Sequence, residues 1–112
     1  MADGAIQRVC FVLPLKPERV EEYVEAHLHV WPEMLAALSA AGWRNYSLFV
    51  RADDGLVVGY LETDDFEAAR AAMAATEVNA RWQAGMAGYF QTLDGTAPDE
   101  AMTPLTEYFH LD

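Results

Sequence analysis

Residues 45–62 read NYSLFVRADDGLVVGYLE, and this stretch decides the fold. Two strand-like runs, Asn45–Arg51 and Leu56–Glu62, flank Ala52-Asp53-Asp54-Gly55. Asp-Gly between such runs is a strong turn signal, so the stretch predicts an antiparallel hairpin. Upstream of it the pattern is helical. Pro17 suits the first position of a helix, where no amide hydrogen is needed, and Glu18, Glu21 and Glu22 suit the positive end of the helix dipole. Val20, Val24, Trp31, Leu35 and Leu38 recur at helical spacing and predict a single apolar stripe. Pro32 interrupts that stripe, so a kink or break is expected at Trp31, with the helix restarting at Pro32 and ending at Gly42. Earlier still, IQRVCFVLPL (Ile6–Leu15) is β-branched and almost continuously apolar. It predicts a central strand covered on both faces and ending at Pro14.

Downstream of the hairpin, Asp64 and Glu67 have the spacing of a capping box, which predicts a helix through Ala75. Thr76 is placed to cap a further helical segment in which Val78, Trp82 and Met86 fall four apart. Gln91 to Pro104 reads as a loop. Leu105 to Leu111 predicts a last strand, with Leu105, Glu107, Phe109 and Leu111 on one face. Strand, helix, strand, strand, helix, strand is the α+β, ferredoxin-like order: one antiparallel sheet with helices packed on one face. The other face needs a cover. The long connection before the last strand fits an arm reaching to a second copy, so a homodimer is expected.

The 112 residues fit one domain, 1–112, and 53% of them are hydrophobic, enough for a core. Eighteen Asp plus Glu against seven Lys plus Arg give a formal net charge of -11. That balance repels phosphate backbones and anionic membrane surfaces, so neither nucleic acid nor membrane is an expected partner. No apolar run, Val9 to Leu13 included, exceeds five residues, too short to span a bilayer, and Met1 to Arg8 carries no secretory pattern. The expected location is cytoplasmic. Cys10, the only cysteine, lies in that apolar run and is expected to be buried as a small hydrophobe rather than to act as a nucleophile.

The chemistry then falls to histidines and aromatics. At about 100° per residue, His27 lies near the border of the apolar stripe, while His29 points away from it to solvent. A border histidine can be satisfied by a backbone carbonyl and do nothing more. Tyr23, however, precedes His27 by one helical turn, which sets phenol and imidazole side by side and suits proton transfer or the holding of a hydroxylated ligand. His110, on the last strand with Tyr108, is expected to pack or to line an interface. The His-x-His pair splits its rings to opposite sides of a helix, so it makes no metal site. Neither a glycine-rich phosphate loop nor a serine nucleophile elbow is present in the sequence. What remains is the aromatic set Tyr23, Trp31, Tyr46 and Trp82. Such rings often form core, yet sugar sites also use them against the C–H patches of a pyranose.

Five segments in order carry a resemblance: Glu22-Tyr23-Val24-Glu25-Ala26-His27 with Trp31-Pro32-Glu33, then Gly42 to Phe49, Gly59 to Glu62, Arg81-Trp82, and Glu107 to Leu111. Together they resemble the L-rhamnose mutarotase family over nearly the whole chain. The resemblance implies a dimeric α+β barrel with its C-terminal strand exchanged between subunits. It also implies an enzyme that needs no metal or cofactor and interconverts the α and β anomers of a deoxy sugar, L-rhamnose or a close relative. By motif, His27 matches the family's proton donor, and Tyr23, Tyr46 and Trp82 match residues that contact the monosaccharide. Gln83 stands where the family typically has a second tryptophan, so position 83 bears on sugar specificity. The fold alone does not choose this class, because small dimeric α+β barrels also serve as cofactor-independent oxygenases and as passive ligand-binding modules.

Overall fold

The computed structural model describes residues 6–90 and 102–111, so most of the loop expected from Gln91 lies outside the described residues. Strand β1 (Gln7–Pro14) leads through a 3-10 turn at Pro17–Arg19 into α1 (Val20–His27) and α2 (Pro32–Ala40). The hairpin β2 (Arg44–Arg51) and β3 (Leu56–Thr63) comes next, then α3 (Phe66–Ala74), α4 (Glu77–Met86) and β4 (Thr103–Pro104). The sheet is antiparallel in the order β2-β3-β1-β4, which makes β1 central and is the ferredoxin-like topology. Among the described residues no helix is long and apolar enough to cross a membrane.

The hairpin closes as its sequence predicts. Gly55 takes a φ of +78°, its amide donates to the Arg51 carbonyl at 2.9 Å, and its own carbonyl accepts from Leu15 N at 2.8 Å. A β-carbon at position 55 would lie 2.1 Å from the Leu15 carbonyl oxygen, so only glycine fits the turn. Further along, β2 carries a bulge: Arg44 pairs with Glu62 and Ser47 with Tyr60, leaving two residues of β2 opposite Leu61. Asn45 absorbs it with a φ of +49°, a left-handed conformation that asparagine tolerates, and its Nδ2 donates to Glu62 Oε2 at 3.2 Å. The extra residue keeps Arg44 and Ser47 on the outer face although they are three apart, and it brings Tyr46 and Leu48 round to the helix side.

The core lies between the sheet and the helices. Phe11, Leu13, Leu15, Val57 and Leu61 enter it from the sheet; Val20, Tyr23, Met34, Met73, Trp82 and Met86 enter from the helices. Trp43 is buried there and its indole N–H donates to the Ala69 carbonyl at 3.2 Å, pinning the start of β2 to α3.

Four sequence expectations need correction. The stripe Val20, Val24, Trp31, Leu35, Leu38 is not one stripe, because Val24 and Leu35 are 39% and 52% exposed. The expected break at Trp31 (φ -59°, ψ 137°) resets the helical phase, so α1 buries Val20 and Tyr23 while α2 buries Met34. The cap of α3 is Asp65, not Asp64: its Oδ1 accepts from Ala68 N at 3.2 Å, while Asp64 instead bonds Arg44 at 2.9 Å. Phe66 has to enter the core, which fixes the helix start one residue later and moves Glu67 off the position the capping box needs. Cys10 is half-buried, since it faces the side of the sheet that no helix covers. Finally, Leu105 to Leu111 forms no strand here. Its path extends the β1–β4 register through Leu105 N donating to Cys10 O at 2.7 Å and an Arg8–Glu107 ion pair at 2.8 Å, but Tyr108, Phe109 and Leu111 stay exposed.

Gly59 supplies a test of this packing. A β-carbon there would sit 2.1 to 2.7 Å from three atoms of the Phe11 ring, which is wholly buried at the centre of the sheet. We expect Gly59→Ala to lose about 1–3 kcal/mol through overpacking. Urea unfolding at constant m-value measures it, and an unchanged midpoint would show that the ring tilts freely.

Candidate active site

Between the sheet and the helices lies a cavity of about 370 Å³, within the range of roughly 300–1,000 Å³ usual for small-molecule sites. Tyr23 and His27 reach it from α1, Tyr46 from β2, and Trp82 and Gln83 from α4, so all five residues singled out in the sequence line one space. Local structure explains why each arrives. Tyr23 and His27 share a face of α1 at (i, i+4), with ring centroids 4.3 Å apart. Tyr46 is delivered by the β2 bulge and held edge-on by Trp43 at 5.0 Å. Trp82 and Gln83 lie near the middle of α4, whose first turn is capped by Thr76 Oγ1 accepting from Asn79 N at 3.2 Å.

The hydrogen bonding of His27 fixes its tautomer. Nδ1 lies 2.9 Å from the Tyr23 carbonyl oxygen, and a carbonyl only accepts, so Nδ1 carries the hydrogen. In the neutral ring Nε2 then holds the lone pair. Burial lowers the imidazole pKa below its ordinary 6.5, offset in part by that same backbone bond, so His27 is uncharged at neutral pH. Burial acts on Tyr23 in the opposite sense, pushing its phenol well above the usual value and keeping it protonated. Phe90 meets the Tyr23 ring edge-on at 5.5 Å and closes off that side from water.

Trp82 stands edge-on to His27 at 5.5 Å and to Trp31 at 5.1 Å. Trp31 is not among the cavity's lining residues. It supports Trp82 from outside, with the Arg81 guanidinium 5.4 Å over its ring and Arg81 paired to Glu33 at 3.3 Å. His29 points to solvent as expected and meets Glu25 at 3.3 Å; His110 stands on the C-terminal arm, 3.8 Å from Glu107. Neither lines the cavity.

Sequence reasoning missed part of the wall. Leu13, Met34, Leu48 and Met102 give it an apolar side, and Asn79, buried, gives it a second amide beside Gln83. Alternation along β1 and β2 could have marked Leu13 and Leu48. Asn79 and Met102 depend on tertiary placement that no local pattern records. Among the described residues the cavity is lined by one titratable imidazole, two phenols, two side-chain amides and a large apolar surface. It can transfer a proton at Nε2, hold several hydroxyls, and shelter C–H groups against ring and aliphatic walls.

Comparison with known proteins agrees with the architecture and extends over the chain. An L-rhamnose mutarotase of Oceanobacillus iheyensis is 35% identical over 107 residues, covering 96% of this chain and 100% of that protein. The crystal structure of an L-rhamnose mutarotase from Formosa agariphila superposes with a TM-score of 0.77 at 24% identity, over 95% of this chain and 99% of the other. A dimeric ferredoxin-like protein from an uncultured marine organism shares the fold at a TM-score of 0.59 and 11% identity, over 100% of this chain and 97% of the other. A family model described as L-rhamnose mutarotase matches residues 8–111, and this chain therefore belongs to the L-rhamnose mutarotase family.

Proposed function

We propose that this protein interconverts the α and β anomers of L-rhamnose, or of a closely related deoxy sugar, by general acid–base ring opening and closure, with His27 as the proton carrier. The observation that carries the reading is the convergence of Tyr23, His27, Tyr46, Trp82 and Gln83 on one cavity, with Nδ1 of His27 tied to a backbone carbonyl and Nε2 left as its basic nitrogen. Family membership supplies the substrate class.

The chemistry derives from the protonation states. Neutral His27 takes the proton of the anomeric hydroxyl at Nε2. The bond between the anomeric carbon and the ring oxygen then breaks, its electron pair going to the ring oxygen as the carbonyl forms. The imidazolium returns its proton to that oxygen, completing the open chain. Because both oxygens are attached to the same carbon, one nitrogen can serve both with little movement. His27 thus becomes the proton donor after first being the acceptor, and its lowered pKa makes the imidazolium a better acid. Rotation about the first carbon–carbon bond and the reverse steps give the other anomer. Tyr23, kept neutral by burial, holds a hydroxyl rather than moving a proton. Trp82 and Tyr46 face the C–H patches of the ring, Gln83 bonds a hydroxyl, and the aliphatic wall suits the methyl group that marks a 6-deoxy sugar.

We extend the proposal to assembly, as a homodimer working in the cytoplasm. Supporting it are the uncovered sheet face, where Phe49 is 63% exposed, and the exposed apolar residues of the arm. In this reading the C-terminal arm of each chain, Leu105 to Leu111, pairs with the partner's sheet, the exchange that its strand-like alternation anticipates.

Three outcomes test these readings. His27→Asn should slow L-rhamnose anomer exchange, measured by NMR saturation transfer above the uncatalysed background, by about 10² or more at unchanged fold, and His29→Asn should leave it within about threefold. Equal losses would overturn the assignment. The wild-type rate should fall as pH drops through the His27 pKa, with a midpoint below 6.5, because the neutral ring starts the reaction. A rate that falls instead as pH rises through neutrality would show that the protonated ring is the resting form. Deleting Leu105 to Asp112 should abolish the dimer by light scattering; a full-length monomer, or a truncated dimer with native circular dichroism, would count against the exchanged arm.

A further inference from the structure

Asn45 is exposed on β2 and does not line the cavity, yet it is the chain neighbour of Tyr46, which does. Among the described residues it is the one non-glycine residue with a positive φ, +49°, a conformation that a β-carbon disfavours. Arg44, just before it, is held on the outer face by a 2.9 Å bond to Asp64, and strict alternation from there would send Tyr46 outward as well. The bulge at Asn45 reverses this. Tyr46 reaches the inner face instead, its ring centroid 5.0 Å from that of Trp43 and 6.4 Å from that of Phe11.

The outer face supplies an anchor for this backbone. Glu62 of β3 stands opposite both Arg44 of β2 and Arg8 of β1. Its Oε2 accepts from Tyr60 Oη at 2.8 Å and from Asn45 Nδ2 at 3.2 Å. The Tyr60 hydroxyl, followed by the Asn45 amide, holds the Glu62 carboxyl below the usual carboxylate range, so the acceptor is ionised at neutral pH and both bonds are charge-assisted.

We propose that Asn45 is a positioning residue for sugar binding: its left-handed backbone, tied across the strands to Glu62, turns the Tyr46 ring into the cavity wall. The inference rests on the cavity's being a monosaccharide site and deepens it, since it places part of the control of that wall on the opposite face of the sheet. A residue that resists the left-handed conformation shifts the bulge, and the ring area that Tyr46 offers to the sugar is lost. His27 comes to the cavity from α1, a separate element, so the loss falls on binding rather than on the bound sugar's reaction.

The test uses the intact chain, with L-rhamnose binding read by tryptophan fluorescence and turnover by anomer exchange. Asn45→Val, β-branched and unsuited to positive φ, should raise both Kd and KM by about three- to tenfold and leave kcat within about twofold. Asn45→Gly, which adopts positive φ at no steric cost, should keep Kd within about twofold of wild type. Tyr46→Ala should weaken binding as much as Asn45→Val does, and the double variant should be no worse than Tyr46→Ala. Should Asn45→Val fail to fold, Asn45→Ala carries the same comparison. A glycine variant as weak as the valine one, additive losses in the double variant, or an unchanged Kd in the folded valine variant would overturn the role of Asn45 alone. A wild-type protein that neither binds nor turns over L-rhamnose would overturn the functional reading beneath it.

Discussion

Pro32 is the constraint on which the site depends. It has no amide hydrogen to donate, and its ring drives Trp31 out of helical geometry, so α1 has to end before it and α2 begins afresh at Pro32 itself. The two short helices can then take different rotational phases. α1 turns Tyr23 and His27 inward, and α2 turns Met34 into the same cavity. The extended residue between them, Trp31, becomes the support behind Trp82. An unbroken helix through this region would place His27 and Met34 seven residues apart on one face of a single helix, instead of bringing them to the cavity from two separately oriented helices.

The same break marks the limit of what the sequence discloses. Elements with local signals come out as read: the Asp-Gly turn, the Thr76 cap and the restart at Pro32 each depend on residues a few positions apart. The apolar stripe fails because its count runs through a break that resets the phase. The α3 cap fails because Asp64 and Asp65 are chemically equal candidates, and the features that choose between them are remote: the burial of Phe66 and the pull of Arg44 on Asp64. Within the site, Tyr23 and His27 come from helix geometry, Tyr46 and Trp82 from the aromatic set left once other chemistries are set aside, and Gln83 came with the family resemblance. Asn79 escaped notice because a helical asparagine carries no mark of burial; only packing of α4 against the sheet shows it.

Two readings of His27 that compete in the sequence turn out to be compatible. A histidine satisfied by a backbone carbonyl and a histidine that moves protons use different nitrogens, and the first role fixes the tautomer for the second. The electrostatics of the cavity fit an uncharged substrate. Burial neutralises the imidazole and keeps the Tyr23 phenol protonated, so in the proposed site these two groups would meet hydroxyls without a charge of their own to desolvate. Among the described residues no carboxylate lines the cavity, in a chain with a formal charge of -11. Such a field would repel phosphorylated sugars while leaving a free sugar unaffected.

The C-terminal segment connects this cavity with the rest of the surface. Met102 is buried in the cavity wall, Thr103 and Pro104 pair with Val12 and Phe11 of β1, and from Leu105 onward the apolar side chains are exposed. Within ten residues the chain passes from cavity wall to sheet edge to uncovered arm. Strand β4 has two residues, and a pairing this short is weak unless the arm beyond it is held. In the proposed dimer, contacts made by the arm would fix β4, and β4 would fix Met102. Assembly and the shape of the apolar wall are then one problem, since a partner that secures the arm would also secure the surface that, in the proposed site, would meet the sugar's methyl group.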